Sequence, residues 1–260
     1  METVVPPRHP TALVVAHPGH ELRVHGWLEK TRPIVFVLTD GSGRGDPRLA
    51  STTRLLAAAG ATPGSIYGRF SDRDLYSALL GGEIEIFLAL AAELGRALRD
   101  AGVETVAGDA LEGFNPGHDV CRLLIDAAAA RLAHEGRPLL NLQFPLEEHP
   151  AGGDEQNPPD PSSLDLDDEA FARKLAAARA YPEMAGEVEA ALARFGPMAF
   201  RHEHLSPATS LPIADLYEEK PFFERHGERR VAEGHYREVL RGREHLGPIA
   251  AALARWASGR

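Results

Sequence analysis

At 260 residues the chain can bury one substantial core or two small ones. Hydrophobic residues at 43% and charged residues at 25% are ordinary for a folded domain, and a net charge of −10 with both signs interspersed excludes the basic face of a nucleic-acid binder. The single cysteine, Cys121, excludes an internal disulfide. No apolar run approaches the ~20 residues of a bilayer span and no basic-then-apolar leader opens the chain, so a cytoplasmic protein without membrane partners is expected.

Short apolar runs alternate with helical patterns. Ala12 to Val15 reads as a buried strand, followed by a polar-faced segment from Pro18 to Lys30. Ile34 to Leu38 is a second strand, ending in the loop signal Thr39 to Gly43. Leu49 to Ala59 reads as a helix stopped by Gly60, and Ser65 to Tyr67 as a third strand. Ile84 to Ala101 carries apolar residues at helical spacing, with Gly102 as its stop. A fourth strand over Val103 to Ala107, a polar loop over Glu112 to Gly117, a helix over Val120 to Ala133 and a fifth strand over Leu139 to Leu142 complete the pattern. This alternation predicts an α/β, Rossmann-like, mostly parallel sheet flanked by helices. Pro145 to Ser163 holds five prolines and five acidic residues and reads as a long loop. Helical patterns follow at Asp167 to Ala180, Glu183 to Phe195, Glu224 to Val239 and Arg241 to Trp256. The expectation is one domain over 1–260: a core over 1–145, a Pro-rich loop over 146–165 and a mainly helical extension over 166–260.

Chemistry gathers at two of these junctions. Ala16-His17-Pro18-Gly19-His20-Glu21 follows the first strand, and Asn115-Pro116-Gly117-His118-Asp119 follows the fourth. In a doubly wound sheet those strands are neighbours at the switch point, so their loops face each other across the ligand crevice. His17, His20 and His118 then form the donor set of a zinc site with an open fourth position. The competing reading makes His20 a helix-surface residue and the His118-Asp119 pair a helix N-terminus, where the dipole favours the carboxylate.

The same residues resemble a family. Ala16 to Glu21 is similar to the Ala-His-Pro-Asp-Asp-Glu signature of the LmbE-like, or PIG-L, deacetylases. Val37-Leu38-Thr39-Asp40-Gly41, the Arg-containing stretch Arg54 to Gly60, and Asn115 to His118 extend the resemblance over roughly the first 145 residues. It implies a Rossmann-like fold and a zinc-dependent hydrolase that removes an acyl group from the 2-amino position of an N-acetylglucosamine-type sugar. It also implies His17, His20 and His118 as metal ligands, His20 standing where the family has an aspartate. Gly19 replaces the family's general base, Asn115 its intermediate-stabilising histidine, and Gly117 the aspartate before the last ligand.

Substitutes for the lost groups are Glu21 or Asp119 as base and Asn115 at an oxyanion, each weighed against a structural carboxylate or turn residue. Glu218 and His226, from the acid- and aromatic-rich stretch after Tyr217, are further candidates against a solvated helix face. Arg44, Arg48 or Arg54 could contact a polar substrate, and Cys121 reads as a small buried helix residue. The expectation is therefore an amide hydrolase with Zn2+ or another divalent transition metal and a sugar-like small-molecule substrate. A non-catalytic relative that binds a sugar- or nucleotide-like ligand is the alternative. An oxidoreductase is disfavoured because no dinucleotide fingerprint follows the first strand. A homo-oligomer is left open.

Overall fold

The computed structural model describes residues 10–147, 162–208 and 217–259. In chain order, β1 (Thr11–Val15) leads through a 3₁₀ turn (His20–Val24) into α1 (His25–Thr31). β2 (Ile34–Thr39), α2 (Leu49–Ala59), β3 (Thr62–Phe70), α3 (Asp72–Leu80) and α4 (Ile84–Asp100) follow. β4 (Thr105–Asp109), α5 (Pro116–His134) and β5 (Leu140–Phe144) close the alternating part. The remainder carries β6 (Leu164–Asp165), α6 (Asp168–Arg179), α7 (Ala185–Phe195), β7 (His202–Glu203), β8 (Ser206–Pro207), α8 (Phe222–Ala232) and α9 (Gly247–Ala257).

The main sheet has the order β3-β2-β1-β4-β5-β8, parallel except for β8. Its strands are apolar on both faces because helices cover both. Ala12, Val14, Phe36, Leu38 and Val106 point into one layer with Phe87, Leu94, Ile125 and Leu253. Leu13, Val15, Val35, Val37, Ala107 and Leu142 point into the other, with Trp27, Leu28, Leu55 and Leu56. The period of two along each strand assigns these faces. β1 lies beside β4, as the sequence suggested, and that neighbourhood brings the two histidine-bearing loops together.

Several boundaries differ from expectation. The third strand runs over nine residues and its register against β2 shifts twice, which a propensity reading of Gly64 and Gly68 hides. α3 was not expected at all. α5 starts at Pro116, not Val120, so His118 belongs to a helix first turn. The two expected C-terminal helices are shorter: α8 ends at Ala232, and α9 begins at Gly247 after a π-helical turn over Gly242–Leu246. Most of the expected Pro-rich loop, residues 148–161, lies outside the described residues. The C-terminal extension also contributes strands, and β8 joins the main sheet.

The extension is bolted to the core by a buried ion pair. Lys174 of α6 and Glu203 of β7 lie 2.9 Å apart, and Glu203 also accepts the Gly26 and Trp27 amides at the start of α1, each at 2.8 Å. That carboxylate supplies the partners a helix N-terminus lacks.

Candidate metal centre

At the end of β1 the chain must turn sharply to bring two imidazoles to one place. The Ala16 amide donates to Asp109 Oδ2 at 2.8 Å, which ties this turn to the end of β4. Gly19 makes the turn at φ 107°, a conformation that favours glycine, and a Cβ there would lie 3.1 Å from the sulfur of Met184. Glu21 is fully buried beneath the turn; its Oε2 accepts the Gly19 amide at 2.7 Å and its Oε1 the Thr52 hydroxyl at 2.8 Å. From the other side, Asn115 caps α5 by accepting the Gly117 amide at 2.7 Å, and Pro116 follows at the first helical position. His118 is delivered by that first turn.

The three rings meet edge to face. Their centroids are 5.3 Å (His17–His20), 5.1 Å (His17–His118) and 4.6 Å (His20–His118) apart. His17 Nδ1 stands 2.8 Å from Thr39 Oγ1, and Thr39 donates its own proton to Ala16 O at 3.1 Å. Asp72 Oδ1 is 2.9 Å from the same Nδ1 and makes no hydrogen bond of its own. His20 Nδ1 lies 2.9 Å from Asp109 Oδ2, whose residue is wholly buried. Because these partners are acceptors, the neutral form of each ring carries its proton on Nδ1 and leaves Nε2 bare. His17 Nε2 and His118 Nδ1 are buried without a hydrogen-bond partner.

Burial, reinforced by the neighbouring imidazoles, pushes the His17 and His118 pKa values down, so both rings are neutral near pH 7. Neutral imidazole is the form that binds metal. Rings arranged tetrahedrally around one zinc at about 2.0 Å would have centroids about 5 Å apart, close to the spacing seen. The donor chemistry, the ring spacing and the orphaned nitrogens therefore fit a divalent metal. Among the described residues, no group of three His, Cys, Asp or Glu is already arranged around one ion.

The other expected site residues are placed as follows. Asp119 is fully buried; Oδ1 accepts the Gly113 amide at 3.1 Å and Oδ2 the Tyr217 hydroxyl at 3.0 Å. Asn115 Oδ1 takes the Tyr76 hydroxyl at 3.2 Å in addition to its capping bond. Glu21, Asp119 and Asn115 thus have their oxygens engaged in holding loops. Arg48 donates to Gly41 O and Met184 Sδ, and Arg54 to Ser51 Oγ. The side chain of Arg44 lies outside the described part of the molecule. Glu218 is exposed and its carbonyl accepts from Arg243, while His226 stacks on Phe222 with ring centroids 5.9 Å apart. Cys121 is buried, as expected.

Sequence reasoning missed Thr39, Asp72 and Asp109 as partners of the cluster. Ser71-Asp72-Arg73-Asp74 held a signal for Asp72: Ser71 Oγ accepts the Asp74 amide at 3.1 Å, a helix-opening pattern that marks α3.

No family model matches the sequence, and no curated protein is significantly similar to it. Solved structures do share its fold. The A40926 pseudoaglycone deacetylase Dbv21 aligns with a TM-score of 0.52 and 16% identity, covering 79% of this chain and 100% of that one. A conserved protein from Thermus thermophilus aligns with a TM-score of 0.51 and 20% identity, covering 78% and 98% respectively. This likeness is one of fold: an α/β, Rossmann-like, mostly parallel sheet flanked by helices, with a C-terminal helical extension.

Proposed function

We propose that the chain is a metal-dependent amide hydrolase that removes an N-acyl group from a sugar-like small molecule, with His17, His20 and His118 holding the metal. The observation that carries this reading is the meeting of three imidazoles, two with buried and unpartnered ring nitrogens, at the carboxyl ends of adjacent strands β1 and β4. A fold shared with a deacetylase supports the reaction class, and the resemblance of Ala16 to Glu21 to the LmbE-like signature supports zinc and an N-acetylated sugar. When bound, a divalent metal would supply Lewis acidity and lower the pKa of a water molecule. The protein's own residues do the arranging. Gly19, Glu21 and Thr52 shape the turn carrying His17 and His20, while Asn115 and Asp119 fix the start of α5.

A second reading, a non-catalytic ligand binder, is favoured by one specific observation. Glu21, Asp119 and Asn115 all have their oxygens engaged, and the Met184 side chain packs against Gly19, where the resemblance places the family's base. Metal content, followed by acetate release from N-acetylated amino sugars, separates the readings. About one divalent ion per chain, lost in His17→Ala and in His118→Ala, with acetate released only by the metal-loaded protein, is the result expected. Metal held without release, together with saturable sugar binding, would favour the binder. No metal in the wild type after reloading would overturn the metal site.

A further inference from the structure

Four neighbouring strands each send one or more groups to the cluster. His17 and His20 follow β1, Thr39 ends β2, Asp72 follows β3 and Asp109 ends β4. Asp109 is wholly buried; its Oδ2 accepts both the Ala16 amide and the His20 ring N–H. Asp72, also buried, is held from below by the Gly43 amide at 2.5 Å, and its other oxygen faces His17 Nδ1. Each carboxylate has an oxygen 2.9 Å from the Nδ1 of an imidazole. Asp109 Oδ1 is buried without a hydrogen-bond partner.

We infer that Asp72 and Asp109 are positioning residues for a divalent cation: Asp109 bonds the Nδ1 side of His20, and Asp72 stands against the Nδ1 side of His17 beside the Thr39 hydroxyl, so that Nε2 of His17 and of His20 is the nitrogen offered to the metal. The inference rests on the three-imidazole reading proposed above and adds residues that neither the sequence motif nor the shared fold assigns. Carboxylates behind a ligating histidine fix its tautomer and raise its basicity, and losing one typically weakens metal binding about 10- to 100-fold.

The test is zinc affinity by chelator competition for the wild type, Asp72→Asn and Asp109→Asn. The cobalt-substituted absorption spectrum and the melting temperature of the metal-free proteins are measured alongside. The expected result is a loss of affinity of about 10- to 100-fold in each variant, a shifted cobalt spectrum and about one ion per chain still bound at saturation. Because Asp109 also anchors the Ala16 amide, its variant risks misfolding; Asp72→Asn, which leaves that bond intact, then decides alone. A wild type that binds zinc while Asp72→Asn binds it equally well overturns this inference and leaves the three-imidazole site standing. Weaker binding matched by a large fall in the metal-free melting temperature also overturns it, because the role is then structural. A wild type that binds no metal overturns the site itself.

Discussion

Asp119 stands next to His118 in the chain, yet its work is done on Gly113 and Tyr217. Burial raises its pKa from 3.8 to about 7, and the charge of Glu112 adds to the effect. A carboxyl whose folded pKa lies above its unfolded one stabilises the fold fully below the unfolded value and loses that contribution as pH rises through the folded value. The stability advantage of the metal-free wild type over metal-free Asp119→Asn, read from denaturant midpoints, should therefore shrink as pH rises from about 4 to about 8. Gly117 makes a second prediction at this scale. A Cβ there would sit 3.2 Å from His17 Nε2 and 3.1 Å from Asn115 Oδ1. Gly117→Ala should weaken metal binding while circular dichroism shows the fold intact, since alanine suits a helix better than glycine. The histidines were legible in the sequence because each cluster closely follows an apolar run. Their partners were not: Asp109 falls two residues past the expected end of β4, and Asp72 sits in an unrecognised helix. A carboxylate acting across 89 residues, as Asp109 does on His20, leaves no local spacing to read.

At the level of elements, α5 shows how one boundary decides the chemistry. Asn115 followed by Pro116 is a start signal, a capping side chain and then a residue with no amide to satisfy. Read as a loop, the stretch leaves His118 free to move; read as a helix first turn, it points His118 from a rigid base. Asn115→Ala should cost about 1 kcal/mol in unfolding free energy by removing the cap, and should also weaken metal binding through a frayed first turn. The parallel strands were easier to foresee, because short continuous apolar runs bounded by turn residues, set between longer helical patterns, match buried strands in both length and composition. β6, β7 and β8, at two residues each, are too short for any periodic signal and owe their existence to tertiary contacts.

On the scale of the whole molecule, the C-terminal extension and the sheet share their packing. Leu246, Ile249 and Leu253 lie in the same apolar layer as Phe87 and Ile125, and the Lys174–Glu203 pair fastens the opposite side. Glu203→Ala would leave the buried Lys174 ammonium with only the Arg23 carbonyl and no counter-charge, and the Gly26 and Trp27 amides without their acceptor, so a loss of about 3–5 kcal/mol is expected in equilibrium unfolding. The double variant Lys174→Met with Glu203→Leu should lose less than the single one, since no unpaired charge remains. Among the described residues, no helix is long and apolar enough to cross a membrane. The two outer strands of the main sheet have a consequence of their own. β3 carries Pro63 and two register shifts, and β8 is two residues long and ends in Pro207. Proline offers no amide to a neighbouring strand, and an irregular edge presents no straight row of donors and acceptors. Both rims of the sheet are thus poor templates for another extended chain, which protects a concentrated or partly unfolded population from growing into β-aggregates edge by edge.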